Sequence, residues 1–461
     1  MSIFTYRKYT ELATLAPVLI LLERELKDCG CPDLYVTGEC AFNLVTEKPI
    51  PRMVDIKAAM PILEFSQLCS RLNLTYTKRN KDIVITSDER RFIYTPLEGS
   101  DIYTDVKTRS FTMYSIYIDA VSGEAFDPCN ALADINGSRL RCVGEPSDVF
   151  ISSPIRIMQM ITLCCEHNLS IDAKMEKAAR ENAHLLADVL VDLVRINLFS
   201  VLLCDTSKVY EGLDISGDNS PVLRGLFMLR DLDVFKYAVP ELEYGRDMEQ
   251  KRRFHKYDVE EHMLHTSAAA PPRLYMRLAG LFHDSGKPEA YRRNNGKNMH
   301  GHDKIGAEIA KQTLKRLHCK DDLINKVSRI IALHMYDIAG IAKETTLRKR
   351  FAQWGSTLTQ DIIDMRSSDI QGSGCADRST KSVTRFREIF DTMKQENVPF
   401  SIYELKITGR DISLLLDLHT GSEINEVKRA LLRHCANSPR DNTYEKLAEL
   451  AIRVKNGENI D

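Results

Sequence analysis

The sequence predicts an α+β protein in which a mixed N-terminal third gives way to helices for the rest of the chain. Short β-rich runs alternate with helical spacing over the first 145 residues, and from Pro154 onward apolar residues recur at intervals of three and four. Clusters of Gly, Ser and Asp mark the joins.

In chain order, Pro17 to Lys27 has helical spacing, and Leu34-Tyr-Val-Thr37 and Met53-Val-Asp55-Ile have strand composition. Leu63 to Leu72 is again helical, and Ile83-Val-Ile-Thr86 and Phe92-Ile-Tyr94 return to strand. Between Pro154 and about Asp205, the residues Leu185, Leu186, Val189, Leu190 and Leu193 predict one helical stripe. Asp205 to Ser220 reads as a linker, and Gln371 to Thr380, with Gly372 and Gly374, as another. The chain has no internal repeat and no low-complexity segment.

With 461 residues, the chain is expected to form roughly three or four domains. A net charge of -2 and a pI near 6.7 give no global electrostatic case for nucleic acid. Any RNA contact must rest on local faces such as Arg348-Lys349-Arg350 or Arg429 to Arg433, and such runs are more often plain solvated helix surface. The 12 cysteines show no paired CxxC spacing and follow no secretory leader, so the expectation is reduced core thiols in a cytoplasmic protein. The longest apolar run, Leu12 to Leu22 with Pro17 inside it, is about half the length of a bilayer span, and no membrane partner is expected.

Eight of the 12 histidines fall between His255 and His334. His262 and His265 are three apart and share a helix face. The apolar run that starts at Arg277 ends in His283-Asp284, with Gly286 and Pro288 stopping the helix just beyond. Leu323, Val327, Ile330 and His334 form a stripe that aims His334 at the packed side. Ile362, Met365 and Asp369 likewise place a carboxylate on an apolar face, where it needs a cation or a donor. A His-Asp dipeptide alone is weak evidence, and His302-Asp303 is a second one; the ordered set carries the metal reading.

The segments His255-Lys-Tyr-Asp-Val-Glu-Glu-His262, Arg277 to Lys287 and Gly301-His302-Asp-Lys-Ile-Gly-Ala resemble the HD-domain metal phosphohydrolases. More narrowly, they resemble the HD domain within bacterial tRNA CCA-adding enzymes. The resemblance assigns a first metal to His262, His283, Asp284 and Asp369, and a second to His302 and His334. Mixed His and Asp ligation suits Mn, Ni, Co, Fe or Zn better than Mg alone. Outside this domain, Asp105 to Ser115, Asp119 to Pro128, Leu140 to Pro146 and Pro154 to Ile157 resemble that family's head and neck. Leu405 to Ile412 and Asp441 to Leu447 resemble its tRNA-contacting tail. The implied organisation is a nucleotidyltransferase-like head (1–150), a helical neck (151–220), an HD domain (221–371) and a helical tail (372–461).

The head departs from the family pattern at its chemistry. Gly38-Glu39-Cys-Ala-Phe42-Asn43 stands where the family has a Gly-Gly turn and an Arg-Asp pair, and Asp55-Ile-Lys57 replaces an Asp-x-Asp pair. A lysine ammonium about 4 Å from a divalent ion, at an effective dielectric near 20, is repelled by roughly 8 kcal/mol before it swings away. Arg109-Ser110, Ser152-Ser153 and Ala187-Asp188-Val189 break three further family motifs. Gly38, Asp55 and Arg109 remain as a vestigial nucleotide site, and Glu39 or Asp105 is left as a substitute ligand.

The expectation is therefore a metal-dependent phosphohydrolase on a CCA-adding scaffold. Asp284 and Lys287 carry the catalysis, a held ion lowers the pKa of a water from about 15.7 to about 7, and Lys287 meets the phosphate. A lysine placed there only by the helix dipole is the bland alternative. The partner is a nucleotide or an RNA 3′ end, tRNA among them, with cyclic phosphates and phosphomonoesters the implied bonds. Two alternatives stay open: a tRNA CCA nucleotidyltransferase still active with non-standard residues, and an RNA- or nucleotide-binding pseudoenzyme.

Overall fold

The computed structural model describes residues 17–87, 90–250, 255–375 and 380–460. The first part of the Leu12–Leu22 run and residues 376–379 of the second expected linker lie outside them. The chain divides into two compact units, Met1–Leu193 with Met228–Tyr237, and Val194–Phe227 with Ala238–Asp461.

The first unit carries a seven-stranded sheet in the order β3-β4-β5-β2-β1-β6-β7. The strands are β1 (Tyr35–Thr37), β2 (Met53–Ala58), β3 (Tyr76–Lys78), β4 (Ile83–Ser87), β5 (Arg90–Pro96), β6 (Tyr117–Asp119) and β7 (Ala125–Phe126). Only β2 and β5 run parallel. The expected strands are β1, β2, β4 and β5. The other three have two or three residues each, too few to show alternation. Leu19 and Leu22 of helix Pro17–Asp28 and Phe65 of helix Ile62–Arg71 close the core over Val36, Ile56 and Phe92.

The predicted stripe from Leu185 to Leu193 is not one helix. A 3-10 segment ends at Asp188, Val189 is extended, and a new helix runs Val191–Leu202, leaving Leu190 74% exposed. Asp192 in its first turn is the start signal that leucine spacing hides. No single helix among the described residues is long and apolar enough to cross a membrane.

The second unit is helical. Helices Val259–Ala269, Leu274–Phe282, His302–Arg316, Asp321–Leu333 and Ser356–Gly372 carry or border every predicted metal ligand. Glycines let their backbones touch. A Cβ on Gly286 would lie 2.3 Å from His302 O and 2.5 Å from Gly306 N, one on Gly280 2.8 Å from Ser267 Cα, and one on Gly372 2.5 Å from Thr266 N. Gln371 and Gly372, expected in a linker, are the last turn of a helix instead. Arg348, expected on a basic face, is buried: its Nε donates to Ala436 O at 2.7 Å and its guanidinium pairs with Glu396.

Gly286→Ala is expected to lower unfolding free energy by about 2 kcal/mol, an overpacking cost read from urea denaturation. His167 gives the first unit a pH dependence. It is half-buried edge-on to Phe42 with Lys48 Nζ 3.1 Å from Nδ1, and burial, then Lys48, hold its pKa down to about 4. The folded value lies below the unfolded one, so this stability is full above pH 6.5 and is lost as pH falls toward about 4. Urea midpoints should drop across that window, and His167→Gln should flatten the slope.

Candidate metal centre

The site is built where helix ends meet. His262 lies in the first turn of helix Val259–Ala269, which Asp258 caps by accepting the Glu261 N–H at 2.7 Å. His283 and His334 follow the last turns of Leu274–Phe282 and Asp321–Leu333, His302 opens His302–Arg316, and Asp369 sits near the end of Ser356–Gly372. All four rings and both carboxylates are buried.

Each imidazole turns its Nδ1 to a backbone carbonyl. His262 meets Gly372 O at 3.1 Å, His283 Gly280 O at 2.8 Å, His302 Met299 O at 2.9 Å and His334 Ile331 O at 2.7 Å. A carbonyl only accepts, so every Nδ1 bears the proton and every neutral ring presents a bare Nε2 inward. The Nε2 atoms of His262 and His283 are 3.2 Å apart, and those of His302 and His334 3.3 Å. Facing lone pairs at that distance repel unless a cation, or a proton on one ring, stands between them; Asp284 raises the His283 pKa against burial. A separation of ~3 Å is also the spacing of neighbouring ligands around an ion with bonds of ~2.1 Å. The residues fit a metal.

Asp284 joins two lobes. Its Oδ2 lies 3.4 Å from His262 Nε2 and 3.2 Å from His283 Nε2, while its Oδ1 lies 3.2 Å from His302 Nε2 and 3.8 Å from His334 Nε2. Asp369 Oδ1 completes the first lobe at 3.0 Å from His262 Nε2. Two donor groups result, His262-His283-Asp284 and Asp284-His302-His334. Burial opposes charge on Asp284, yet His283 and Lys287 hold it well below the usual carboxylate range. Burial lowers the His262 pKa, and burial with neighbouring His283 pushes His334 down to about 4, so both rings stay neutral ligands at pH 7.

Lys287 Nζ sits 2.5 Å from Asp284 Oδ2 and 2.5 Å from Gln250 Oε1, at the edge of the first lobe. Gln250, which stands in no periodic run, is not singled out by the sequence; His255, which opens the first HD-like segment, packs edge-on to His262 at 4.5 Å. His265, sharing a helix with His262, stacks flat on Tyr257 at 4.0 Å and belongs to neither lobe, and Asp303 belongs to neither as well.

The head residues also come together. Thr37 pairs with Asp55 across β1 and β2, Gly38 has φ +67, and a Cβ there would lie 2.6 Å from Asp55 Oδ2. Arg109 donates to Thr37 Oγ1 at 3.2 Å. Asp105, however, is consumed: Lys57 Nζ at 2.7 Å, Tyr117 OH at 2.6 Å and Glu98 N at 3.0 Å all donate to it. The roughly 8 kcal/mol repulsion assumed a bare ammonium; here Lys57 is neutralised by the very carboxylate that was left as a substitute ligand. Glu39 is exposed.

Metal-depleted protein titrated with Mn²⁺ is expected to take up two ions per chain, one per donor group. Asp284→Asn should lose both tight sites and His334→Ala only one, as read by elemental analysis after dialysis.

The HD domain family matches residues 259–359, and Asp369 lies beyond the matched stretch. The A-adding tRNA nucleotidyltransferase of Deinococcus radiodurans is 25% identical over 361 residues, covering 75% of this chain and 78% of its own. The CCA-adding enzyme of Enterococcus faecalis is 20% identical over 460 residues, covering 96% and 97%. Among solved structures, the Bacillus stearothermophilus CCA-adding enzyme in complex with CTP aligns with a TM-score of 0.65 at 18% identity, covering 97% of this chain and 98% of its own. The Thermotoga maritima CCA-adding enzyme complexed with tRNA aligns with a TM-score of 0.61 at 15% identity, covering 98% and 100%. This chain therefore has the CCA-adding enzyme scaffold with an HD domain set into it.

Proposed function

We propose that the chain is a divalent-metal phosphohydrolase that cleaves a cyclic phosphodiester or phosphomonoester of a nucleotide or RNA 3′ end, tRNA among its partners. The observation that carries this reading is Asp284, one carboxylate shared by two pairs of inward Nε2 atoms. His262, His283, Asp284 and Asp369 hold one ion, and His302 and His334 with Asp284 the other, with Mn, Ni, Co, Fe or Zn favoured over Mg alone. Such ions supply an acidified water and a Lewis acid for the phosphoryl group. Two carboxylates against two divalent ions leave the cluster net positive, which suits an anionic phosphate. Lys287, held between Asp284 and Gln250, meets the phosphoryl oxygens where charge develops. The division into head (1–150), neck (151–220), HD domain (221–371) and tail (372–461) is proposed with it, as is a reducing, cytoplasmic setting in which the 12 free thiols persist.

By name, the relatives favour the second reading, an active tRNA nucleotidyltransferase, over hydrolysis, and its own support is a likeness that spans 96% of the chain, head included. Against it stands the head itself: one carboxylate of the expected pair is Lys57, and Asp105 is locked to that lysine.

One assay panel separates the readings. The Mn²⁺- or Ni²⁺-loaded protein is expected to open 2′,3′-cyclic phosphates or release phosphate from nucleotides, with Asp284→Asn slower by roughly a hundred-fold or more. Addition of CMP or AMP to a tRNA lacking its 3′ CCA, with no hydrolysis under any ion, would replace the first reading with the second.

A further inference from the structure

Arg366 lies one turn before Asp369 on helix Ser356–Gly372 and is buried to 1% exposure. Its Nη2 donates to Tyr336 O, and its guanidinium lies over the Phe386 ring at 4.2 Å. The Nε and Nη1 groups are buried with no hydrogen-bond partner. Burial pushes the guanidinium pKa down to about 10, against Asp337 and Asp369, which favour its charge. A charge this deep, with most of its donors unused, is costly, and a methionine would fill the same space without that cost. The position therefore needs another reason.

The reason lies in what the one used donor joins. Tyr336 stands two residues past His334, in the turn that ends helix Asp321–Leu333, and its own N–H donates to Leu333 O at 2.9 Å. That helix packs on His302–Arg316, and the pair carries both imidazoles of the second lobe. Asp369 of the first lobe comes instead from the helix of Arg366. His302 and His334 each lean on a carbonyl three residues earlier, so the shape of the second lobe is local. Its placement against Asp369 is not local, and the bond from Arg366 to Tyr336 spans that gap. Asp284 makes the placement matter, because Oδ2 of this one rigid carboxylate faces the first lobe and Oδ1 the second.

We propose that Arg366 is a positioning residue that holds the second lobe in register with the first, so that the single Asp284 carboxylate serves two ions. This role rests on the two-ion reading of the centre, whatever reaction follows from it. On the first lobe the same side chain acts the other way, since a positive charge one turn from Asp369 opposes a cation there. Loss of Arg366 therefore moves the affinities of the two ions in opposite directions. Loosened packing alone would weaken both.

The test is calorimetric titration of the metal-depleted full chain with Mn²⁺, where the binding step missing in His334→Ala marks the second lobe. Arg366→Met is expected to weaken that step roughly ten-fold or more and to tighten the other roughly three-fold. Arg366→Lys keeps the charge and loses the planar fork, so the second-lobe step weakens while the first stays within roughly two-fold of the unaltered chain. Melting curves show which variant is folded, and Arg366→Lys decides the matter if Arg366→Met is not. Equal weakening of both steps in a folded variant, or two steps unchanged from the unaltered chain, would overturn the role of Arg366 and leave the two-ion centre standing. Uptake of fewer than two ions by the unaltered chain would overturn the centre and this role with it.

Discussion

Everything in the helical unit turns on four imidazole lone pairs forced to face one another. Their Nδ1 protons are committed to backbone carbonyls on the outer side, so Nε2 atoms little more than 3 Å apart are left to be bridged by a cation or, at His283, whose pKa Asp284 raises against burial, by a proton. The close helix contacts at Gly280, Gly286 and Gly372 bring the ligand-bearing helices together. A side chain at any of these glycines separates the backbones, and ligands placed by backbones move with them.

The head shows the opposite outcome of a similar geometry. Asp55, Gly38 and Arg109 still lie around the turn that follows β1, so the frame is retained. Two residues beyond Asp55 stands Lys57, and a buried lysine demands a counter-ion. Asp105 answers that demand as an internal salt link, and it is itself held by the Tyr117 hydroxyl and the Glu98 amide, which donate to it. Around this turn Lys57 and Asp105 satisfy each other.

Much of the site is legible in the sequence. Asp369 and His334 are readable because each interrupts an apolar stripe of helical period, and a polar group aimed at a core needs a reason. His283-Asp284 is readable from its helix stop. The lobes themselves were not derivable from spacing, since they join residues as far apart as His262 and Asp369, and the assignment of His302 and His334 came from resemblance alone. The helix break at Val189 was missed because leucine spacing continues across it, and β3, β6 and β7 are too short to carry a pattern. The last turn at Gln371 and Gly372 was misread as a linker because glycine is both a loop residue and the residue of close helix contacts, two uses that composition cannot separate.

The anchoring of the rings is unequal in its reach along the chain. His283, His302 and His334 each lean on a carbonyl three residues earlier, so their orientation is written into a single local turn. His262 leans on Gly372, 110 residues away, on the same helix that supplies Asp369. A slight tilt of that one helix therefore shifts a ligand and the rest of another ligand together, while the opposite lobe keeps its shape. The two halves of the cluster differ in kind: one is a product of nearby chain geometry, the other a gauge of whether the whole domain has closed.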